Sequence, residues 1–166
     1  MQFDKPYDAA APRGASGRVC RPAGNGADEQ RGRAVPDDAA VSVVAGTYLT
    51  ADEDGVRLPH AWTSSGVGVR TDFTGAHLLH LAVAGCVLND TYREAAALNI
   101  EIAGVRVSAS GGFAPRTWQS TGIQYVLEID SPASAQDVEQ LQLRVEQVAE
   151  IPKALRLGCQ VVRRVP

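Results

Sequence analysis

Residues 74–99, TGAHLLHLAVAGCVLNDTYREAAALN, carry the longest run of apolar positions in the chain. The run extends from Leu78 to Leu88 and turns polar at Asn89. Thr74, or Asp72 before it, is a suitable N-cap, and the pattern predicts a helix that stops around Asn99. Leu78, Leu81, Ala82, Gly85, Leu88, Asn89 and Tyr92 recur at helical spacing as one stripe. The first half is apolar on nearly every face, so other protein must wrap it. Gly85 costs about 1 kcal/mol against Ala in a helix interior. Its presence predicts another backbone passing close by.

The flanking patterns have a period of two. Ala40–Thr50 is rich in β-branched residues and ends at the turn-forming Ala51-Asp52-Glu53-Asp54-Gly55. Val56–Leu58 reads as the returning strand, and Gly66–Thr71 as a third. After the helix, Ile100–Ser110 alternates around a break at Gly104, and Gly111-Gly112 reads as a turn. Thr117–Asp130 places Ile123, Tyr125, Leu127 and Ile129 on one face of a strand. Ser134 with Asp137 resembles a capping box. Val138, Leu141, Val145 and Val148 then follow helical spacing. Pro152 is expected to end or kink that helix, Lys153–Leu157 to add one more turn, and Cys159–Val162 to form a final strand. Residues 1–38, rich in Gly, Ala, Pro and charge, read as a weakly ordered arm before one domain over 39–166. Strands separated by single helices predict an α+β fold. So apolar a helix in so short a chain predicts a homodimer that encloses it.

Composition narrows the function. The chain has 166 residues, 45% hydrophobic and 21% charged, with a net charge of −3. It has no basic field for a phosphate backbone, so nucleic acid is not an expected partner. The opening MQFDKPYD has no apolar core, so a secretory leader is not expected. The longest apolar run is shorter than the roughly 18–20 residues of a membrane span. A cytoplasmic protein with no membrane partner follows. There the three cysteines, Cys20, Cys86 and Cys159, are expected as thiols. No Cys-x-x-Cys pair or Cys/His spacing points to zinc, so neither metal nor cofactor is expected.

Leu78–Cys86, with its L-L-x-L-A-x-A-G-C pattern, and Ala149–Gly158 around Pro152 resemble the OsmC/Ohr family of osmotically inducible and organic-hydroperoxide-resistance proteins. The element order over 40–162 agrees. The resemblance implies an intertwined homodimer with antiparallel sheets around a long buried central helix and a second, amphipathic helix. It implies a thiol peroxidase acting on organic hydroperoxides, with two cysteines, an assisting arginine and glutamate, and an external dithiol reductant. Cys86 matches the first cysteine. The second falls at Ile151, directly before Pro152, and is absent. The glutamate falls at Ala76, with Gly75 in place of the family's proline, and is absent too. Arg18 matches the arginine.

Each candidate has two readings. Cys86 is either inert core or a protected thiol, and a reactive thiol requires a cation to lower its pKa. Arg18 and Arg93 are the candidate cations, although Arg93 also suits a local pair with Asp90. Cys159 could replace the missing resolving thiol or be an ordinary strand residue. Glu150 could face Cys86, where its charge would raise the thiol pKa, or end a solvated helix. His77 and His80, at i and i+3, could line a pocket with Ile151 and Trp118, or serve as interface and core groups. Trp62 and Tyr125 read as core or pocket wall. Two functions follow. One is an oxidative-stress thiol peroxidase using Cys86 and an external reductant. The other is a non-enzymatic dimer that binds a small hydrophobic molecule.

Overall fold

The computed structural model describes residues 39–51, 55–158 and 163. Arg18, Cys20 and Cys159, the expected arm and the expected last strand all lie outside these residues.

The order is β1 (Val41–Gly46), a 3-10 turn (Thr47–Ala51), β2 (Val56–Leu58), β3 (Val67–Arg70), α1 (Gly75–Leu98), β4 (Gly104–Phe113), β5 (Ser120–Asp130), α2 (Ala135–Val148) and α3 (Glu150–Leu157). The fold is α+β. The strands form one antiparallel sheet in the order β2-β3-β1-β4-β5. β1 lies between β3 and β4 with Val43 opposite Val69 and Val107. Period-two alternation therefore turns Val41, Val43, Val67, Val69, Val105, Val107 and Ala109 into one buried face. α1 packs there through Ala84, Val87, Leu88 and Ala95. Leu141, Val145 and Ala149 of the α2 segment complete this core. Burying a leucine as fully as Leu88 or Leu141 contributes about 1.5–3 kcal/mol.

Several boundaries differ from the sequence reading. β1 stops at Gly46, whose φ of +63° suits glycine, and the next residues coil into the 3-10 turn. β4 begins at Gly104 instead of breaking there, and Ile100–Ala103 is a connection. Gly111-Gly112 is not a turn. Both glycines lie inside β4, next to an irregularity in its pairing with β5. A Cβ at Gly111 would collide with the Gly122 carbonyl, so the local packing requires glycine. The chain reverses instead at 114–119, where Trp118 adopts φ +56°.

The helix caps follow the sequence. The Thr74 side chain accepts the His77 N–H, and Asn99 closes α1 in the left-handed conformation. Ser134 caps α2 by accepting the Asp137 N–H. The break after α2 falls at Ala149, three residues before Pro152. Pro152 itself sits in the first turn of α3, where its missing N–H leaves no helical bond unmade. The two-turn α3 thus replaces the single extra turn expected.

The buried face of α1 is also rotated from the expected stripe. Leu78, Ala82 and Asn89 are exposed, and among the described residues nothing lies within 4 Å of where a Gly85 Cβ would sit. No backbone among the described residues therefore explains Gly85. Because α1 is apolar nearly all round, periodicity could not select which arc meets the sheet.

Candidate functional site

Cys86 lies on the arc of α1 that faces the start of α3. The α2–α3 break directs the first turn of α3 at it. The Ile151 backbone N–H donates to Sγ at 3.5 Å. Position 151, matched by resemblance to a second cysteine, is therefore adjacent to Cys86, but holds an isoleucine there. The thiol donates to Asp90 Oδ2 at 3.3 Å, one turn along α1, and its contact with Glu150 Oε2 is 3.8 Å. Glu150 thus opens α3 beside the thiol and is not the last solvated turn of α2.

The cations near this cluster face the carboxylates. Arg93 pairs with Asp90 at 2.8 Å, with Glu94 at 3.1 Å and with Glu150 at 3.2 Å. Glu94, buried, also receives Arg144 from α2 at 3.0 Å. An alternating chain of charge runs from Arg144 through Glu94 and Arg93 to the acids that hold Cys86. Arg93 therefore tunes Asp90 and Glu150 instead of touching the sulfur.

The electrostatic result is one-sided. Partial burial pushes the Cys86 thiol up to about 11. The Ile151 N–H opposes that shift, while Asp90 and Glu150 reinforce it. Burial raises Asp90 above the usual carboxylate range, against the pull of Cys86 and Arg93. Glu150 is held below that range by a backbone N–H and by Arg93. Cys86 Sγ and one oxygen each of Asp90 and Glu150 lie within 4.8 Å of one another. One soft and two hard donors could hold a metal ion, and here the Arg93 guanidinium supplies the positive charge.

Beside this cluster, between α1, β5 and α3, is an apolar cavity of about 300 Å³. Leu79, Val83, Ile123, Tyr125, Pro152 and Leu155 line it, together with Ser120 and half-exposed Arg156. Val83 and Leu79 lie one and two turns before Cys86 on α1. Pro152 follows Ile151 directly. A second cavity, about 350 Å³, lies over Gly85 and Leu81, with Trp62, His60 and Asn89 at its rim.

The other candidates are scattered. His77 holds Thr74 through Nδ1 at 2.7 Å in the first turn of α1. Nine residues of helix place it about 14 Å along the axis from Cys86. His80 is fully buried, its Nδ1 donating to the Ala39 carbonyl at 2.8 Å and its Nε2 without a partner among the described residues. Trp118 is 77% exposed at the β4–β5 reversal, so it is not core. Of the expected binding residues, Glu150 and Ile151 meet Cys86. Sequence reasoning missed Asp90 as a partner of the thiol, although its i+4 spacing from Cys86 is legible. It also missed the α3 N–H, because the break at Ala149 has no glycine or proline to mark it.

No family model and no curated protein sequence matches this chain. Solved structures do. An OsmC-like protein from Mycoplasma pneumoniae has a TM-score of 0.46 and 16% identity, over 63% of this chain and 89% of that one. The chain is similar to OsmC-like proteins. An OsmC-like hydroperoxide resistance protein from Jannaschia sp. CCS1 has a TM-score of 0.44 and 11% identity, over 77% of this chain and 94% of that one. These likenesses assign no chemistry to Cys86. Among the described residues, no helix is long and apolar enough to cross a membrane.

Proposed function

We propose that this chain is an OsmC-like oxidative-stress protein that binds a small hydrophobic molecule beside Cys86 without relying on a standing thiolate. One observation carries the reading. Cys86 is hydrogen-bonded to Asp90 and borders Glu150, and the nearby Arg93 faces those carboxylates instead of the sulfur. A thiol with a pKa of about 11 is ionised to only about one part in ten thousand at neutral pH. Rapid attack on a peroxide needs the thiolate. The apolar cavity next to Val83 and Pro152 remains available for binding.

The peroxidase reading is the second one, and the approach of the Ile151 N–H to a half-buried Cys86 favours it. In that case Cys86 would form a sulfenic acid that an external dithiol reduces, because no cysteine stands at position 151. A homodimer belongs to either reading. Leu78 and Ala82 leave an apolar stripe exposed along α1, next to Gly85, and Phe73 just before the helix is 90% exposed.

Titration calorimetry with cumyl alcohol, a redox-inert relative of an organic hydroperoxide, tests the binding reading. Wild type and Cys86→Ser should bind it with equal affinity, and Val83→Trp, which fills the cavity, should not bind. Absence of binding to the wild type would remove this reading.

A further inference from the structure

Arg156 is the one charged side chain among the described residues that line the cavity beside Val83 and Pro152. Its side chain is half-exposed, so the guanidinium stands where the apolar wall meets solvent. The Tyr125 phenol lines the same cavity and feels the Arg156 charge. The carboxylate partner of Arg156, Glu146, is 3.9 Å away and 61% exposed. That is beyond a good hydrogen bond and leaves Glu146 free to turn to solvent. A planar guanidinium so loosely paired matches a carboxylate in shape and charge. Leu79, Val83, Pro152 and Leu155 offer apolar contact, and Ser120 adds the one hydroxyl besides Tyr125 to the lining.

We propose that this cavity takes an amphipathic monocarboxylate. The acid group rests on Arg156 and Tyr125, and the chain or ring runs back along Val83 and Pro152 towards the turn of α1 that carries Cys86. This rests on the binding reading above and names the chemical class of its ligand. Arg156 sets the polarity of the ligand and its orientation. Glu146 competes with the ligand for the same guanidinium.

The test is calorimetric titration of the full chain with sodium octanoate and with 1-octanol, which share an apolar tail. Wild type should prefer octanoate by about fivefold, the scale of a half-exposed charge-assisted pair. Arg156→Gln should abolish the preference while keeping octanol affinity, and Glu146→Gln should widen it. Circular dichroism of both variants checks that each is folded. Equal binding of the two probes to wild type, or a preference that survives in Arg156→Gln, would overturn the anion subsite and leave the apolar cavity intact. Binding of neither probe would overturn both this inference and the reading beneath it.

Discussion

Replacing Asp90 with Asn should make Cys86 more reactive. Asp90 accepts the thiol hydrogen bond at 3.3 Å and carries negative charge against any thiolate that forms. At that distance two unit charges repel by about 1.3 kcal/mol in water and about 5 kcal/mol at an effective dielectric constant of 20. Those limits correspond to about one and about four pKa units. Cys86 is only half-buried and Arg93 already offsets part of the charge, so the lower limit applies. A fall of about one unit leaves the dominant effect, burial, in place. The thiolate fraction at neutral pH should then rise about tenfold. The assay is the pseudo-first-order rate of iodoacetamide alkylation between pH 6 and pH 11, followed by mass spectrometry. Cys20→Ser and Cys159→Ser in the background isolate the Cys86 signal. Wild type should show a rate that is still climbing above pH 9, and Asp90→Asn should shift that curve down by about one unit. A wild-type curve that levels off near pH 7, or an unshifted Asp90→Asn curve, would refute the reasoning.

Two further outcomes follow from the charge network and the exposed helix face. Glu94→Gln should cost about 1 kcal/mol in urea denaturation, because it removes the carboxylate that half-exposed Arg93 and Arg144 share. The Arg144 and Arg93 pairs hold Glu94 below its ordinary value of 4.5. Its stabilisation is therefore present above that value and is lost as pH falls through the lowered one, so wild type and variant should converge in stability in strong acid. For the proposed dimer, analytical ultracentrifugation should find two copies in the wild type and one in Leu78→Glu; a monomeric wild type would remove the dimer.

The fold was legible in the sequence where two patterns coincided. Thr74 and Asn99 bounded α1, and Ser134 with Asp137 opened α2, because caps act locally and have a side-chain signature. Element order and the α+β class followed from the switch between periods of two and 3.6. The arc of α1 that meets the sheet did not follow, since a helix apolar on nearly every face has no preferred side. The Gly111-Gly112 pair was misread because glycine there relieves a close approach to β5 and makes no reversal. At the site, the resemblance matched Cys86 and position 151 to the family's two cysteines, and the two positions do meet. The charge around the sulfur was not legible, because the α2–α3 break and the turn of Arg93 towards Glu150 are tertiary facts.

Peroxide consumption by the single thiol tests the central claim most directly. Fully reduced wild type and Cys86→Ser are mixed with cumene hydroperoxide and a lipoyl dithiol, and peroxide loss is followed at neutral pH. A Cys86 held neutral by burial, with Asp90 and Glu150 reinforcing it, predicts the same background rate in both proteins. Rapid consumption by wild type that disappears in Cys86→Ser would contradict it.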